Sequence, residues 1–157
     1  MEPTIEALQN LVKQIATSAK KNVRRNGAVD PVAFFIGKNL PDSRGLVLDL
    51  SSEKNISASY KLMQDAVHEL HPVAVVVVKD GEMIFAESDE EAQAIYAKPD
   101  HPRRKRYISI QASSPIANHE VMIEYAKKGK RVTIGEEYNV LPGEGCDFTR
   151  ELWGLVN

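Results

Sequence analysis

The N-terminal segment has the periodicity of an amphipathic helix. Its apolar residues recur at intervals of three and four and form one stripe, made of Ile5, Leu8, Val12, Ile15, Ala19 and Val23. Pro3 suits a first helical turn, where its missing N–H leaves no helical hydrogen bond unmade. Gly27 is a typical stop. The pattern therefore predicts a helix over residues 1–27.

The next apolar segments predict a pair of strands and a second helix. Val32–Ile36 is an unbroken apolar run, and leucines alternate with Val47 and Asp49 from residue 46 to residue 50. We expect these two strands to form a hairpin with a long loop. Ser51 and Ser52 are good N-caps for the helix that follows. Its stripe steps by four and three until Pro72 ends it, through Ile56, Tyr60, Met63, Val67 and Leu70.

The second half of the chain consists mostly of strand patterns joined by turns. Val73–Val78 suits a strand buried on both faces. Asp80-Gly81 predicts a tight turn, followed by a return strand or a run-out at 82–86. A short capped helix is predicted from Ser88 to Tyr96. Further strands are predicted at 107–112, 120–126 and 131–134, the last two joined by a turn at 127–130.

Together these elements predict a single α+β domain over residues 1–157, because consecutive strands with helices grouped apart are typical of that class. We expect a largely antiparallel sheet of about five to seven strands with two long helices packed on one face. The second helix would cross over between Leu50 and Val73. The other face would be wet and carry Ser109, Gln111, Glu124 and Thr133. The apolar residues after Leu141 would dock onto the body.

Composition narrows the class of protein. The chain has 157 residues, is 43% hydrophobic and 27% charged, and has a formal net charge of −2. These values exclude a disordered chain, a collagen, a disulfide scaffold and a protein that is basic throughout. The lone Cys146 does not imply an oxidising compartment. The longest apolar run, 72–78, is far shorter than the roughly 20 residues of a spanning helix, and the acidic start lacks a signal-peptide pattern. We expect a cytoplasmic protein with no membrane partner.

Several segments resemble a group of uncharacterised bacterial or phage-associated proteins. The resemblance rests on the run from Gly37 to Leu50, the crossover helix, the valine strand, and the basic run that enters a strand between Pro102 and Ile110. It covers residues 30–135. That group has no assigned activity, so the resemblance implies a compact α+β domain and assigns no catalytic residue.

Asp65, His68 and His71 form a candidate metal site near the end of the second helix. Steps of three place neighbouring members on one helix face, and carboxylate and imidazole groups are common metal ligands. The sequence is His-Glu-Leu-His, however, and not the His-Glu-x-x-His of zinc hydrolases. The alternative is a pair of partly exposed histidines at a helix C-terminus, where positive charge is favourable.

A run of four cations followed by an aromatic residue forms a candidate polyanion-binding site: Arg103, Arg104, Lys105, Arg106 and Tyr107. Adjacent cations neutralise phosphates, and a nearby ring stacks on a base. The basic end of the first helix would join the site if the fold brings it close, through Lys20, Lys21, Arg24 and Arg25. The alternative is pairing with the acidic residues that precede the run, Asp89, Glu90, Glu91 and Asp100. Entry into a strand would also send alternate side chains to opposite faces.

The remaining motifs indicate no catalytic residue and no cofactor. Cys146 and His119 would form a thiol–imidazole pair only with a base in hydrogen-bond reach, and a lone buried thiol is the simpler interpretation. Gly143 and Gly145 lack the Gly-Lys-Ser/Thr of a phosphate loop, so we interpret them as a turn.

Three classes of function remain. The first is a non-catalytic module that acts through protein contacts or self-association, since edge strands or an uncovered face serve as interfaces. The second is polyanion or nucleic-acid binding through residues 103–106. The third is a small enzyme with a site on the exposed sheet face. Salt dependence separates the first two, because phosphate contacts weaken steeply with salt and an apolar interface does not.

Overall fold

The computed structural model describes residues 4–39, 42–84, 86–98, 101–140 and 152–153. Within these ranges the chain forms three helices and six strands. In chain order they are α1 (Ile5–Asn26), β1 (Val32–Ile36), β2 (Arg44–Val47), α2 (Glu53–Leu70), β3 (Ala74–Ile84), α3 (Asp89–Tyr96), β4 (Arg104–Ser113), β5 (Asn118–Lys128) and β6 (Arg131–Asn139). No helix in the described ranges is both long enough and apolar enough to cross a membrane.

The strands form one open sheet in the order β2-β1-β3-β4-β5-β6, and every neighbouring pair is antiparallel. The predicted α+β class is confirmed. β1 and β2 form the predicted hairpin, with Val32 opposite Val47, but β2 begins at Arg44 and ends at Val47, whereas the sequence predicted it over residues 46–50. The predicted turn between β5 and β6 is also present, and Gly129 there has a φ of 59°.

Helix α1 contains the first apolar stripe and packs it against the sheet. The Thr4 side chain caps it by accepting from the Ala7 N–H at 3.3 Å. Gly27 ends it in the left-handed conformation, with φ at 80°. Its buried residues pack over β4, β5 and β6, through Leu8, Val12, Ala16, Ala19 and Val23. We call this side of the sheet the α1 face.

Helix α2 lies on the opposite side, which we call the α2 face. Side chains alternate along a strand, so Val76 and Val78 of β3 join the α1 core. Val75 and Val77 instead pack with Met63 of α2. The expectation that both long helices share one face is therefore wrong. The physical reason lies in the valine strand, because a strand that is apolar on both faces needs a cover on each.

Helix α2 covers only part of its face. Ser52 caps its N-terminus, as predicted, by accepting from the Asn55 N–H at 3.2 Å. Met63 is fully buried, whereas Ile56 and Leu70 at the two ends of the stripe are 41% and 42% exposed. Two residues of the C-terminal region, Leu152 and Trp153, pack into the same core.

Strand β3 continues through Asp80-Gly81, where the sequence predicted a tight turn. Asp80 lies opposite Ile108, and Gly81 lies opposite Tyr107, so the ladder with β4 is unbroken to Ile84. The tight hairpin turn needs positive φ, and Gly81 is not among the residues that have it. The turn prediction is wrong because a long partner strand supplies hydrogen bonds on both sides of the dipeptide. The alternative, a run-out of the strand, is correct as far as Ile84.

The alternation predicted for β4 is confirmed, but the side chains on its polar face are less exposed to solvent than expected. Ile108 and Ile110 belong to the α1 core. Ser109 and Gln111, on the α2 face, are only 7% and 6% exposed. The Ser109 hydroxyl donates to Glu120 Oε1 at 3.1 Å, so burial of this polar strand is accompanied by hydrogen bonding. The expectation of a wet face is wrong for these two residues; Thr133 is exposed and Glu124 half-buried.

Candidate functional site

Strand β4 divides the basic run between the two faces of the sheet. Arg106 is beside Tyr125 of β5, whose ring belongs to the α1 core. Lys105 and Tyr107 line a cavity on the α2 face, and Arg103, just before the strand, lines the same cavity. The Arg104 side chain lies outside what the structure describes. The described cations of the run therefore lie on both faces, although Lys105 and Arg106 also line a common cavity with Lys127.

Arg106 on the α1 face, whose side chain is 49% exposed, belongs to a polar cluster centred on the buried Asp80 carboxylate. Its Nη2 donates to Asp80 Oδ1 at 3.1 Å, and its Nε donates to the Tyr125 hydroxyl at 3.0 Å. The Tyr125 hydroxyl donates to Asp80 Oδ2 at 2.8 Å, and the Val29 N–H donates to the same oxygen at 3.0 Å. The Asp80 side chain is 7% exposed. This cluster ties the segment after α1 to β3, β4 and β5, so Arg106 has a structural role.

The cluster also shifts the protonation of its members. Burial raises the pKa of Tyr125 to about 12, with a further contribution from its hydrogen bond to Asp80. The hydrogen bond to Asp80 raises the pKa of Arg106 as well. Both groups therefore stay protonated at neutral pH and donate to the Asp80 carboxylate.

The two cations of the basic run that line the cavity on the α2 face, Arg103 and Lys105, are also paired. Arg103 forms an ion pair with Glu91 of α3, which is one of the acidic partners that the sequence predicted. Lys105 Nζ lies 3.1 Å from Glu124 Oε1 on β5, and this hydrogen bond raises the pKa of Lys105. The sequence did not indicate Glu124 or Asp80 as partners. Because Arg103, Lys105 and Arg106 each have a carboxylate partner, the arrangement favours pairing over polyanion binding, which stays a prediction.

Lys105 and Tyr107 line a cavity of about 890 Å³ on the α2 face, at the β4–β6 side of the sheet. We call it the cleft, and its described lining is Ala86, Glu87, Pro102, Arg103, Lys105, Tyr107, Met122, Tyr138, Asn139 and Val140. The rings of Tyr107 and Tyr138 have centroids 6.4 Å apart and are tilted by 54°. The alternation of β4 predicted the position of Tyr107, but the contribution of β6 was missed, because the predicted strand ended at residue 134.

A hydrogen-bond network lies along one wall of the cleft. The Tyr138 hydroxyl donates to Glu136 Oε2 at 2.7 Å and lies 3.4 Å from Glu124 Oε2. The bond to Glu136 raises the pKa of Tyr138 to about 12, and burial raises the pKa of Tyr107. Tyr138 and Lys105 therefore stay protonated at neutral pH, and each donates to a carboxylate, Glu136 and Glu124 respectively.

A second cavity, of about 640 Å³, lies on the α1 face beside α1. We call it the groove. Its floor is formed by β1 and β3, through Val32, Phe34, Ile36 and Val78. Its wall is one flank of α1 and the segment that follows, through Leu11, Gln14, Ile15, Ser18, Ala19, Asn22, Asn26, Ala28, Val29 and Asp30. The groove exists because α1 packs over β4, β5 and β6 and leaves this part of the sheet uncovered.

The sequence patterns did not predict the groove, although a signal for it was present. Val32–Ile36 is apolar at every position, so both of its faces need cover. The structure buries Ala33 and Phe35 under α2. Val32, Phe34 and Ile36, on the other face, are only partly buried. An apolar strand next to a sheet edge is therefore the sign of an incompletely covered surface.

The candidate metal residues lie on the exposed end of α2. Asp65, His68 and His71 line the last turns of this helix, and the two imidazole rings have centroids 6.3 Å apart. Across the described ranges, no group of three or more His, Cys, Asp or Glu side chains is arranged to hold a metal ion. His71 ends the helix in the left-handed region, with φ at 47°. This geometry gives the metal prediction no support, and it stays a prediction.

The other candidate residues add no chemistry. Cys146, Gly143 and Gly145 lie outside the described residues, so the thiol–imidazole pair and the turn stay predictions. His119 on β5 is half-buried, and this burial lowers its pKa. Comparison of the chain with protein-family models, with curated proteins and with solved structures found no match in any of the three.

Proposed function

We propose that the protein is a non-catalytic module that associates with a second copy of itself through the groove. The observation that carries the proposal is the chemistry of the groove. Its floor is apolar, and its described lining holds one ionisable side chain, Asp30. Burial of such a floor against another apolar surface is favourable by roughly 25 cal/mol for each Å² removed from water.

The nearly uncharged lining favours a second copy as the partner. In a two-fold symmetric contact the same patch occurs on both sides, so charges close to the axis meet like charges. Like-charge contacts at an interface cost several kcal/mol. The flank of α1 that lines the groove contains Gln14, Ser18, Asn22 and Asn26 but no lysine or arginine. This flank can therefore approach its own copy without repulsion.

The sheet edge beside the groove extends the same surface. β2 is a terminal strand in the sheet order, and Val47, which pairs with Val32, is 74% exposed. Gly45 lies opposite Phe34, and a Cβ at residue 45 would be 3.7 Å from the phenyl ring. Glycine leaves that side of the ring uncovered. Apolar side chains next to an exposed strand edge are typical of an association surface.

The experiment is sedimentation velocity over a wide concentration series, with two matched variants of α1. Ser18→Glu places a carboxylate in the groove lining, whereas Thr17→Glu places the same charge on the neighbouring exposed residue, which does not line it. We expect the wild-type chain and Thr17→Glu to form a dimer as concentration rises, and Ser18→Glu to remain monomeric. A wild-type chain that stays monomeric throughout, or equal effects of the two variants, would contradict the proposal.

A further inference from the structure

The described lining of the cleft holds Glu87, Arg103 and Lys105, and carboxylates outweigh cations once the partners of the lining residues are counted. The ion pairs of Arg103 with Glu91 and of Lys105 with Glu124 each sum to zero. Two carboxylates in and beside the cleft remain. Glu87 lines the cleft. Glu136 accepts a hydrogen bond from the Tyr138 hydroxyl, and that hydroxyl carries no charge. Among the described residues no ion pair neutralises Glu87, and Glu136 shares the attraction of Lys105, which already pairs with Glu124. Four carboxylates therefore accompany two cations, and the site keeps an excess negative charge.

The apolar walls of the cleft suit a cation with an organic body. An ammonium group is attracted to the face of a tyrosine ring, and the attraction grows as the group is desolvated. Tyr138, which is 42% exposed, presents such a ring, and it packs against Tyr107, which is 6% exposed and also lines the cleft. Met122 and Pro102 add apolar surface beside them. The volume of about 890 Å³ falls within the usual range of small-molecule sites.

We propose that the cleft binds a small organic ammonium ion. Its charged group would lie by the two tyrosine rings and Glu136, and its apolar body along Met122 and Pro102. The positive charge of the ligand would offset the excess negative charge that remains after the two ion pairs are counted. The cleft is on the opposite face of the sheet from the groove, so this proposal does not depend on self-association, and either can fail alone.

The same charges disfavour a phosphate ligand at this site. An anion would need Arg103 and Lys105, and each already has a carboxylate partner. Displacing Glu91 and Glu124 would leave those carboxylates beside the anion, together with Glu87 and Glu136. These carboxylates and the anion would repel one another because they carry charge of the same sign in one site. The basic residues of the run therefore balance acidic residues of the cleft, and the net preference is for a cation.

The test is a titration followed by amide NMR with three probes of similar shape. These are 2-phenylethylammonium, its uncharged analogue 2-phenylethanol, and the anion phenyl phosphate. We expect the ammonium ion to bind at least about tenfold more tightly than the alcohol, with shifts at residues 105, 107, 122 and 138. Equal binding of the alcohol, tighter binding of phenyl phosphate, or no binding of the ammonium ion would overturn the proposal.

Two neighbouring carboxylates provide a matched pair of variants. Glu136→Gln removes the charge that contacts Tyr138 and keeps the shape of the side chain. Glu137→Gln removes a charge from the next residue, which contacts Lys20 of α1 at 3.8 Å. We expect Glu136→Gln to weaken 2-phenylethylammonium binding about tenfold and Glu137→Gln to leave it unchanged. Both residues are exposed, so both variants should fold. Equal effects of the two would overturn the proposal.

Discussion

The groove and the cleft lie on opposite faces of one sheet and differ in the number of charged side chains in and beside their lining. The described lining of the groove has one ionisable side chain, Asp30, at its end. The cleft has Glu87, Arg103 and Lys105 in its lining and further carboxylates beside it. A surface without charge can meet its own copy, whereas a surface with unbalanced charge selects a ligand of opposite sign.

The difference originates in the alternation of the strands. β1 is apolar at every position, so whichever face lacks a helix exposes apolar side chains. β4 instead alternates, with isoleucines under α1 and tyrosine, serine and glutamine on the α2 face. Incomplete cover therefore leaves an apolar groove over β1 and a polar, aromatic cleft over β4. Each surface follows from the strand beneath it.

The largest expected effect is on the free energy of unfolding. It distinguishes the ion pair of Asp80 on the α1 face from that of Glu124 on the α2 face. Asp80→Ala removes the acceptor of three donors from a side chain that is 7% exposed. We expect a loss of about 2 to 3 kcal/mol in the free energy of unfolding, measured with urea, because the Tyr125 hydroxyl and the Val29 N–H lose their acceptor. Glu124→Ala removes the partner of the half-exposed Lys105 and should cost at most about 1 kcal/mol. Equal losses would show that burial does not distinguish the two pairs.

Alkaline pH provides a second contrast between the faces. Burial beside Asp80 raises the pKa of Tyr125 to about 12 from 10.0, so the folded state holds this proton more tightly than the unfolded state. The resulting stability is complete below pH 10 and is lost as pH rises toward about 12. We expect Tyr125→Phe to reduce this alkaline slope more than Tyr138→Phe, because Tyr138 is 42% exposed and solvent screens its contacts. Urea unfolding between neutral pH and pH 11 measures both slopes, and a larger effect of Tyr138→Phe would be contrary to this expectation.

Thermal stability should depend on protein concentration through the groove and not through the cleft. A dimer that forms only from folded chains raises the melting temperature as concentration rises. We expect a rise of a few degrees for the wild-type chain and for Glu136→Gln. Ser18→Glu should melt at the same temperature throughout the series. Differential scanning fluorimetry or calorimetry makes the measurement. A concentration-independent wild-type Tm would contradict the groove as a dimer surface.

The smallest expected effect on stability is at two exposed apolar residues. Val47 at the groove edge is 74% exposed, and Leu62 on α2 is 53% exposed. Replacement of either by lysine should change the free energy of unfolding by less than about 0.5 kcal/mol. Val47→Lys should nevertheless weaken the dimer in size-exclusion chromatography with light scattering, and Leu62→Lys should not. A weaker dimer in both variants would place the contact elsewhere.

Local patterns predicted most of the elements. The stripes of α1 and α2, the apolar run of β1 and the alternation of β4 each depend on residues close in sequence. The turn predicted at Asp80-Gly81 was wrong because its outcome depends on β4, whose pairing residue Tyr107 is distant in sequence. The helix placement was wrong for the same kind of reason, since only the assembled sheet determines which face each helix covers.

The candidate sites were harder to predict than the elements. The basic run is evident in the sequence, and its partner Glu91 lies in the acidic stretch that precedes it. The partners of Lys105 and Arg106, which are Glu124 and Asp80, come from other strands and carry no local signal. The apolar β1 indicates a surface that needs cover, but which of its faces stays uncovered, and where β6 joins the cleft, depends on strands that pair side by side.

The most direct test of the central claim is an isotope-filtered NOE experiment on an equal mixture of labelled and unlabelled chains. It detects only contacts between copies. We predict intermolecular NOEs from groove methyls such as those of Ile15, Val32 and Ile36, and none from Met122 in the cleft. Intermolecular NOEs that arise from Met122, or a concentrated sample with no NOEs from the groove methyls, would contradict the claim that the groove is where this protein meets its copy.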